Sequence, residues 1–206
     1  MDNETSSRRS PSRKIRIREA KLSDSESLFA LINDSYQVET GDSGVAFKKT
    51  LRLIDMNSEM IPLIPRTLVA EMVAENGNDD VVELCGSITW EETEHLHTPT
   101  KGVDGDTVNG GGYKAMHFGP FAVSRHHQKM GIGNALLNAL YLLAKERGCE
   151  NIDLECVNWR SDIIPWYQKM GFCVIGEGAF PAPERCTRDS FFILMRRSIS
   201  DIFKDK

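Results

Sequence analysis

A chain of 206 residues with 40% hydrophobic and 27% charged side chains has the size and balance of one globular domain with a proper core. Its net charge of −5 and isoelectric point near 5.6 exclude the basic balance of a nucleic-acid binder and mildly favour a cationic partner. No apolar run approaches the roughly 18 residues that read as a membrane span. The five cysteines (Cys85, Cys149, Cys156, Cys173 and Cys186) are odd in number and lack Cys-x-x-Cys spacing. They predict reduced thiols in an intracellular protein, cytoplasmic with the nucleus as a second compartment. His95/His97 and His126/His127 have no cysteine close in sequence, so no metal site is expected.

In chain order, residues 1–12 read as a disordered tail, and Asp2 and Glu4 argue against an organelle-import peptide. Residues 14–18 alternate with period two and predict a first strand. Ser23 or Asp24 can cap a helix whose apolar face holds Leu28, Leu31, Ile32 and Tyr36. Glycines at 41 and 44 end it, and a second helix is expected over 46–56. Strands follow at 67–74 and 81–90, joined across 75–80 by a hairpin turn. A polar, glycine-rich insertion over 92–114 is expected to be flexible. A strand at 115–123, a helix at 132–147 ended by Gly148 and an apolar strand at 151–157 come next. A short helix over 161–170 must carry Pro165 near its start. Strands at 173–176 and 190–197 complete the chain, and no internal repeat is present.

Chemistry concentrates between the strand at 115–123 and the helix at 132–147. Gln128-Lys129-Met130-Gly131-Ile132-Gly133 is a loop that opens a helix, with two glycines clearing side chains from the approach. Unpaired N–H groups and the positive end of the helix dipole suit a pyrophosphate there. A Walker loop is excluded because Asn134 and Ala135 follow Gly133. A dinucleotide fingerprint is excluded because position 136 is Leu.

The spacing Gln128-x-x-Gly131-x-Gly133 resembles the acyl-CoA signature of the GNAT superfamily of N-acetyltransferases. Tyr167-Gln168-Lys169-Met170-Gly171-Phe172 resembles that family's Tyr-x-x-x-Gly-Phe segment. The resemblance covers residues 13–197, and the domain is drawn at 13–200. It implies an α/β (α+β) GNAT fold: a mixed, strongly twisted sheet of six to seven strands flanked by about four helices. It also implies acetyl-CoA as co-substrate. Main-chain groups of Phe121, Ala122 and Val123 would pair with the pantetheine arm. Gln128, Lys129, Met130, Gly131, Ile132, Gly133 and Asn134 would cradle the pyrophosphate, with Arg125 and Lys129 as further phosphate partners. Asn158 resembles the asparagine that contacts the pantetheine or the loop, although its spacing to Tyr167 is two positions longer than the commonest pattern.

Acetylating an alkyl amine poses a proton problem, because with a pKa of about 10.4 only about one part in a thousand is neutral at pH 7. Tyr167 matches the family's tyrosine acid that donates to the leaving sulfur. His117, five residues before Ala122, matches a position where many members place a base, and an imidazole suits that task at cellular pH. Glu83, Glu91 and Glu71 are alternative bases. Tyr36, Glu39, Trp90 and Glu91 are the expected acceptor-side contacts, with Glu92, Glu94, Asp104 and Asp106 as further acidic groups.

The function expected is acetyl transfer from acetyl-CoA to a primary amine of a small molecule or peptide, by direct attack. The alternative is a non-catalytic acyl-CoA-binding or sensing module. Neither reading calls for nucleic acid, membrane or metal, and either suits a monomer or homodimer.

Overall fold

The computed structural model describes residues 13–36, 59–74, 83–94, 113–181, 186 and 188–204. Strands β1 (Arg13–Glu19), β2 (Thr67–Ala74), β3 (Glu83–Thr93) and β4 (Ala115–Val123) run as antiparallel neighbours. A second antiparallel set comprises β5 (Asn151–Val157), β6 (Cys173–Ala179) and β7 (Phe191–Ser198), with β7 between the other two. A parallel pairing of β4 with β5 joins the sets into one seven-stranded sheet, ordered β1-β2-β3-β4-β5-β7-β6. The described helices are α1 (Ser25–Tyr36), α2 (Ile61–Leu63), α3 (Ile132–Glu146), α4 (Ile164–Lys169) and α5 (Ile199–Ile202).

This is the mixed, helix-flanked sheet that the sequence predicts, with one strand count inside the expected range and two very short helices added. β2, β4 and β5 have the predicted bounds. β3 runs on to Thr93, so Glu92 belongs to a strand rather than to the insertion. Lys114 and Arg147 both reach Glu92, at 2.6 and 2.8 Å. The expected helix at 46–56, the turn at 75–80, the tail at 1–12, residues 95–112 of the insertion and Glu39 lie outside the described residues. Capping differs as well. The Asp24 carboxylate accepts from the Lys21 N–H at 2.7 Å, closing a 3-10 turn over Leu22–Asp24 before α1 begins at Ser25.

Helix α3 buries Ile132, Leu136, Leu137, Leu140, Tyr141 and Ala144, one stripe at helical spacing. That stripe packs on Cys85, Ile88, Met116 and Leu154 of the sheet. Gly86 permits the approach: a Cβ there would lie 2.8 Å from Ile132 Cγ2 and 3.0 Å from Leu136 Cδ1. Another cluster forms around α1, where Leu28, Leu31 and Ile32 meet Met60, Ile64, Val69 and Ala122.

The sheet forks in the middle. β4 pairs with β5 only at Ala115↔Asn151, Met116↔Ile152 and His117↔Asp153. Beyond that point Gly119 and Pro120 both fall between the β4 partners of Ile88 and Trp90, a bulge of two residues against Thr89. Proline has no N–H to offer a ladder, so the strand cannot go on pairing there. β5 stays with β7 instead, clamped by Arg196, whose Nε and Nη2 donate to Asp153 at 2.8 Å each. Tyr113 also meets Arg196.

Away from the fork, Glu71 is 3% exposed and accepts from Arg16 Nε at 2.8 Å and Arg18 Nε at 2.7 Å. Burial alone would push its carboxyl up, but the two guanidinium groups outweigh it and hold the group below the ordinary value of 4.5. Glu71→Gln should cost about 2 kcal/mol, less than the roughly 3–5 of a fully enclosed pair because both arginines reach solvent. A carboxyl depressed in the folded state stabilises fully above its unfolded value and loses that contribution as pH falls through the folded value. Urea unfolding should therefore show a constant wild-type advantage from pH 7 down to about 5, closing below the ordinary glutamate range.

Candidate active site

The fork opens into a cleft of about 920 Å³. Its walls are the outer half of β4, the outer half of β5, the end of α1 and the start of α4, and the loop before α3 closes one end.

On the β4 wall, the Ser124 N–H donates to the Cys85 carbonyl at 2.9 Å, which fixes the alternation of the strand. Phe121 and Val123 then present their main-chain groups to the cleft. Ala122 turns its own toward β3 and buries its side chain against α1. The expectation of pairing through all three residues is corrected to the outer two. Both are visited by α1: the Phe121 N–H donates to the Tyr36 hydroxyl at 3.3 Å, and the Ser35 hydroxyl donates to the Val123 carbonyl at 3.4 Å. Tyr36 thus stands inside the cleft.

Gln128, Lys129, Gly131, Ile132, Gly133 and Asn134 line the mouth, whereas Met130 points away and is 49% exposed. Gly131 holds φ at +85°, in the left-handed region, and Lys129 holds +64°. Ala135 is the first residue to bond within α3, to the Gly131 carbonyl at 3.0 Å. The N–H groups of 132–134 accordingly point out of the helix end toward the mouth. Gly133 sits under two rings, with space for a Cβ at 3.4 Å from Trp166 and 3.5 Å from Phe121. Arg125 is turned elsewhere, donating to the Asp34 carbonyl at 2.8 Å. His127 is nearly buried between Ser124, at 3.3 Å, and Glu83, at 3.5 Å.

Tyr167 is set deep in the opposite wall. Pro165 falls in the first turn of α4, where the missing N–H costs nothing, and the helix then delivers Tyr167 to the core. Its ring packs on Phe118, Trp166 and Phe172 with centroids 6.0, 5.0 and 5.8 Å away. Burial holds its hydroxyl well above the usual phenol value, and the neighbouring Tyr36 adds to the effect. The group is a protonated donor throughout the neutral range.

His117 lines the same cleft, its Nδ1 3.7 Å from Glu91. Glu91 also faces Arg66, at 3.6 Å. Three expected residues are engaged elsewhere. Trp90 is buried in the core under α3, beneath the Arg147 guanidinium at 4.4 Å. The Asn158 side chain accepts from the Phe191 N–H at 3.2 Å, tying β5 to β7. Glu71 is held by its arginines, distant from the fork on β2. Cys85 donates to the Ala70 carbonyl at 3.2 Å, its thiol pushed up to about 11 by burial, which leaves no nucleophile there. Among the cleft residues absent from the sequence reading is Glu155, on β5, half-buried. Its carboxyl is pushed up by burial and by the charge of Glu91.

Free main-chain groups along one wall and helix N–H donors at the mouth fit a co-substrate that joins an extended amide-bearing arm to a pyrophosphate. The class so defined is acyl-CoA-dependent transferases. The chain belongs to the acetyltransferase (GNAT) family, whose model matches residues 65–172. Solved structures with the same fold include Arabidopsis thaliana NAA60 in complex with acetyl-CoA, at 16% identity and TM-score 0.62 over 90% of this chain and 99% of that one. Ard1 from Thermoplasma volcanium aligns at 16% identity and TM-score 0.59, over 89% and 97%. An aminoglycoside 6'-N-acetyltransferase complexed with coenzyme A aligns at 18% identity and TM-score 0.56, over the same shares. No curated protein matches the chain in sequence.

The two glycines separate by their geometry. Gly131→Ala forces a side chain into the left-handed region and should cost about 1–2 kcal/mol of stability while weakening acetyl-CoA. Gly133→Ala meets only ordinary contacts and should fold with a melting temperature within a few degrees of wild type. Thermal melts with and without acetyl-CoA check both.

Proposed function

We propose that residues 13–200 form one N-acetyltransferase domain, which transfers the acetyl group of acetyl-CoA to a primary amine by direct attack. The observation that carries this reading is a single cleft holding the glycine loop, the free edge of β4 and a buried, protonated tyrosine. When bound, acetyl-CoA supplies an activated acyl group as a thioester. Phe121 and Val123 hold its arm through main-chain groups, and Gln128 to Asn134, Met130 excepted, hold the pyrophosphate through N–H groups and Lys129. Tyr167 offers its hydroxyl to the sulfur. A thiol of ordinary pKa, about 8.5, keeps its proton at neutral pH, so a phenol held above 10 acts by donating a hydrogen bond as charge develops.

Tyr36 and Glu91 flank the acceptor's side. The acceptor's own proton leaves to the imidazole and carboxylate groups on this face, His117 among them. The acceptor is a small molecule or a peptide amine, and the ammonium it presents suits the acidic balance of the chain.

Tyr167→Phe should lower kcat by about 10²-fold and leave the acetyl-CoA dissociation constant unchanged by calorimetry. The assay is release of CoA thiol against polyamines, aminoglycosides, arylalkylamines and lysine peptides. Acetyl-CoA binding with no thiol release on any amine would instead favour a non-catalytic acyl-CoA module.

A further inference from the structure

His127 is a titratable side chain built into the loop that precedes α3. It closes the short turn Arg125–His127, and its N–H donates to the Ser124 carbonyl at 2.9 Å. The residue is 6% exposed and lines the cleft beside Gln128 and Lys129. Its Nδ1 meets the Ser124 hydroxyl at 3.3 Å, and its Nε2 lies 3.5 Å from the Glu83 carboxylate on β3. The ring thus ties the loop to β3, the strand whose Cys85 carbonyl also receives the Ser124 N–H. Just past the tie, Lys129 and Gly131 hold φ at +64° and +85°. Such backbone persists only where its surroundings over-determine it. Here the tie to Glu83 stands on one side, and the bond from the Ala135 N–H to the Gly131 carbonyl stands on the other.

Both ring nitrogens face oxygens able to accept, and a neutral imidazole has one N–H to give. The protonated ring can donate to both. Around it, Glu83 comes from β3, and Lys129 belongs to the loop itself. On the same turn His126 is exposed, and Arg125 is turned to Asp34 of α1, 3.7 Å from its carboxylate. The first turn of α3 carries no acidic residue. Among the described residues, then, one carboxylate meets this ring, and it does so from the side of β3. A pyrophosphate at the N–H groups of 132–134 would bring negative charge to the cleft side. An anion beside an imidazole favours its charged form, and an imidazole ordinarily titrates near 6.5, within reach of neutral pH.

We infer that His127 is a positioning residue for the co-substrate: it holds the loop on β3, and acetyl-CoA binding draws a proton onto its ring. This rests on the acetyltransferase reading above. The proton comes from solvent, leaves again with CoA and takes no part in the transfer. The sign follows from linkage. A group that holds its proton more tightly in the complex makes the ligand bind more tightly as pH falls. That advantage is complete below the free-state value and is lost as pH rises through the bound-state value.

Calorimetric titration from about pH 5.5 to 8.5, in buffers of different ionisation heat, reads both affinity and proton uptake across the imidazole range. The ligands are acetyl-CoA and acetyl-dephospho-CoA, which lacks the 3'-phosphate that itself titrates near pH 6. With the second ligand, wild type should take up about half a proton near pH 7 and bind about tenfold tighter at the acidic end. His127→Gln keeps a donor toward Glu83. It should take up no proton, bind within about threefold of wild type at the basic end and fall about tenfold behind at the acidic end. Glu83→Gln alters an exposed carboxylate, so it should fold, and it should move proton uptake to lower pH because the imidazolium loses its partner. If His127→Gln fails to fold, that shift alone decides. Parallel pH profiles for wild type and His127→Gln, wild-type binding without proton uptake, or a Glu83→Gln profile matching wild type would overturn this inference and spare the acetyltransferase. No wild-type binding of either ligand would overturn both.

Discussion

Everything functional in this molecule depends on where β4 stops pairing with β5. Two residues, Gly119 and Pro120, do the local work: a bulge bends the strand, and the proline removes a donor from the ladder. The forces on either side keep the fork open. β4 stays paired with β3 on both sides of the bulge, and β5 remains locked to β7 over its whole length, reinforced by the Asp153–Arg196 pair. Neither strand can close on the other without giving up those bonds. Main-chain groups left inside a protein need partners, and among the described residues the edge at Phe121 and Val123 meets the hydroxyls of Tyr36 and Ser35, at 3.3 and 3.4 Å. An extended, amide-bearing molecule replaces such partners readily.

The cleft is also polarised along its length. At the loop end, helix N–H groups and Lys129 favour anions. At the other, Glu91 and Glu155 favour a cation, with the protonated hydroxyl of Tyr167 between the two ends. On the proposed reading, an anionic nucleotide tail would lie at the loop end and an amine at the other, the arrangement a two-substrate transfer requires. Nothing in the fold alone selects the amine. The solved structures that share it include an aminoglycoside acetyltransferase, so selection lies with side chains at the acceptor end.

The frame of the domain was legible in the residues. Long runs with clean periodicity, such as the stripe of α3 and the strands at 67–74, 115–123 and 151–157, could be bounded from pattern alone. The glycine loop was legible because its chemistry is main-chain chemistry and needs only glycine spacing. Side-chain assignments fared less evenly. Trp90 reads as a contact at the rim, but alternation along β3 turns it under α3, and a bulge upstream hides that parity from the sequence. Ala122 sits in the right strand with the wrong main-chain direction, since the face shown by each residue depends on the β3 register. Glu155 was hidden inside Asn151–Val157, where a mostly apolar run reads as a strand covered on both faces. Only the fork, a tertiary feature, reveals that one of those faces lines a cleft.

Amide hydrogen exchange with and without acetyl-CoA tests the central claim most directly. The fork account predicts that acetyl-CoA slows exchange at Phe121, Val123 and the N–H groups of 131–134, and leaves the β1–β2 ladder unchanged. Protection confined to other elements, with 118–134 exchanging as in the free protein, would contradict it.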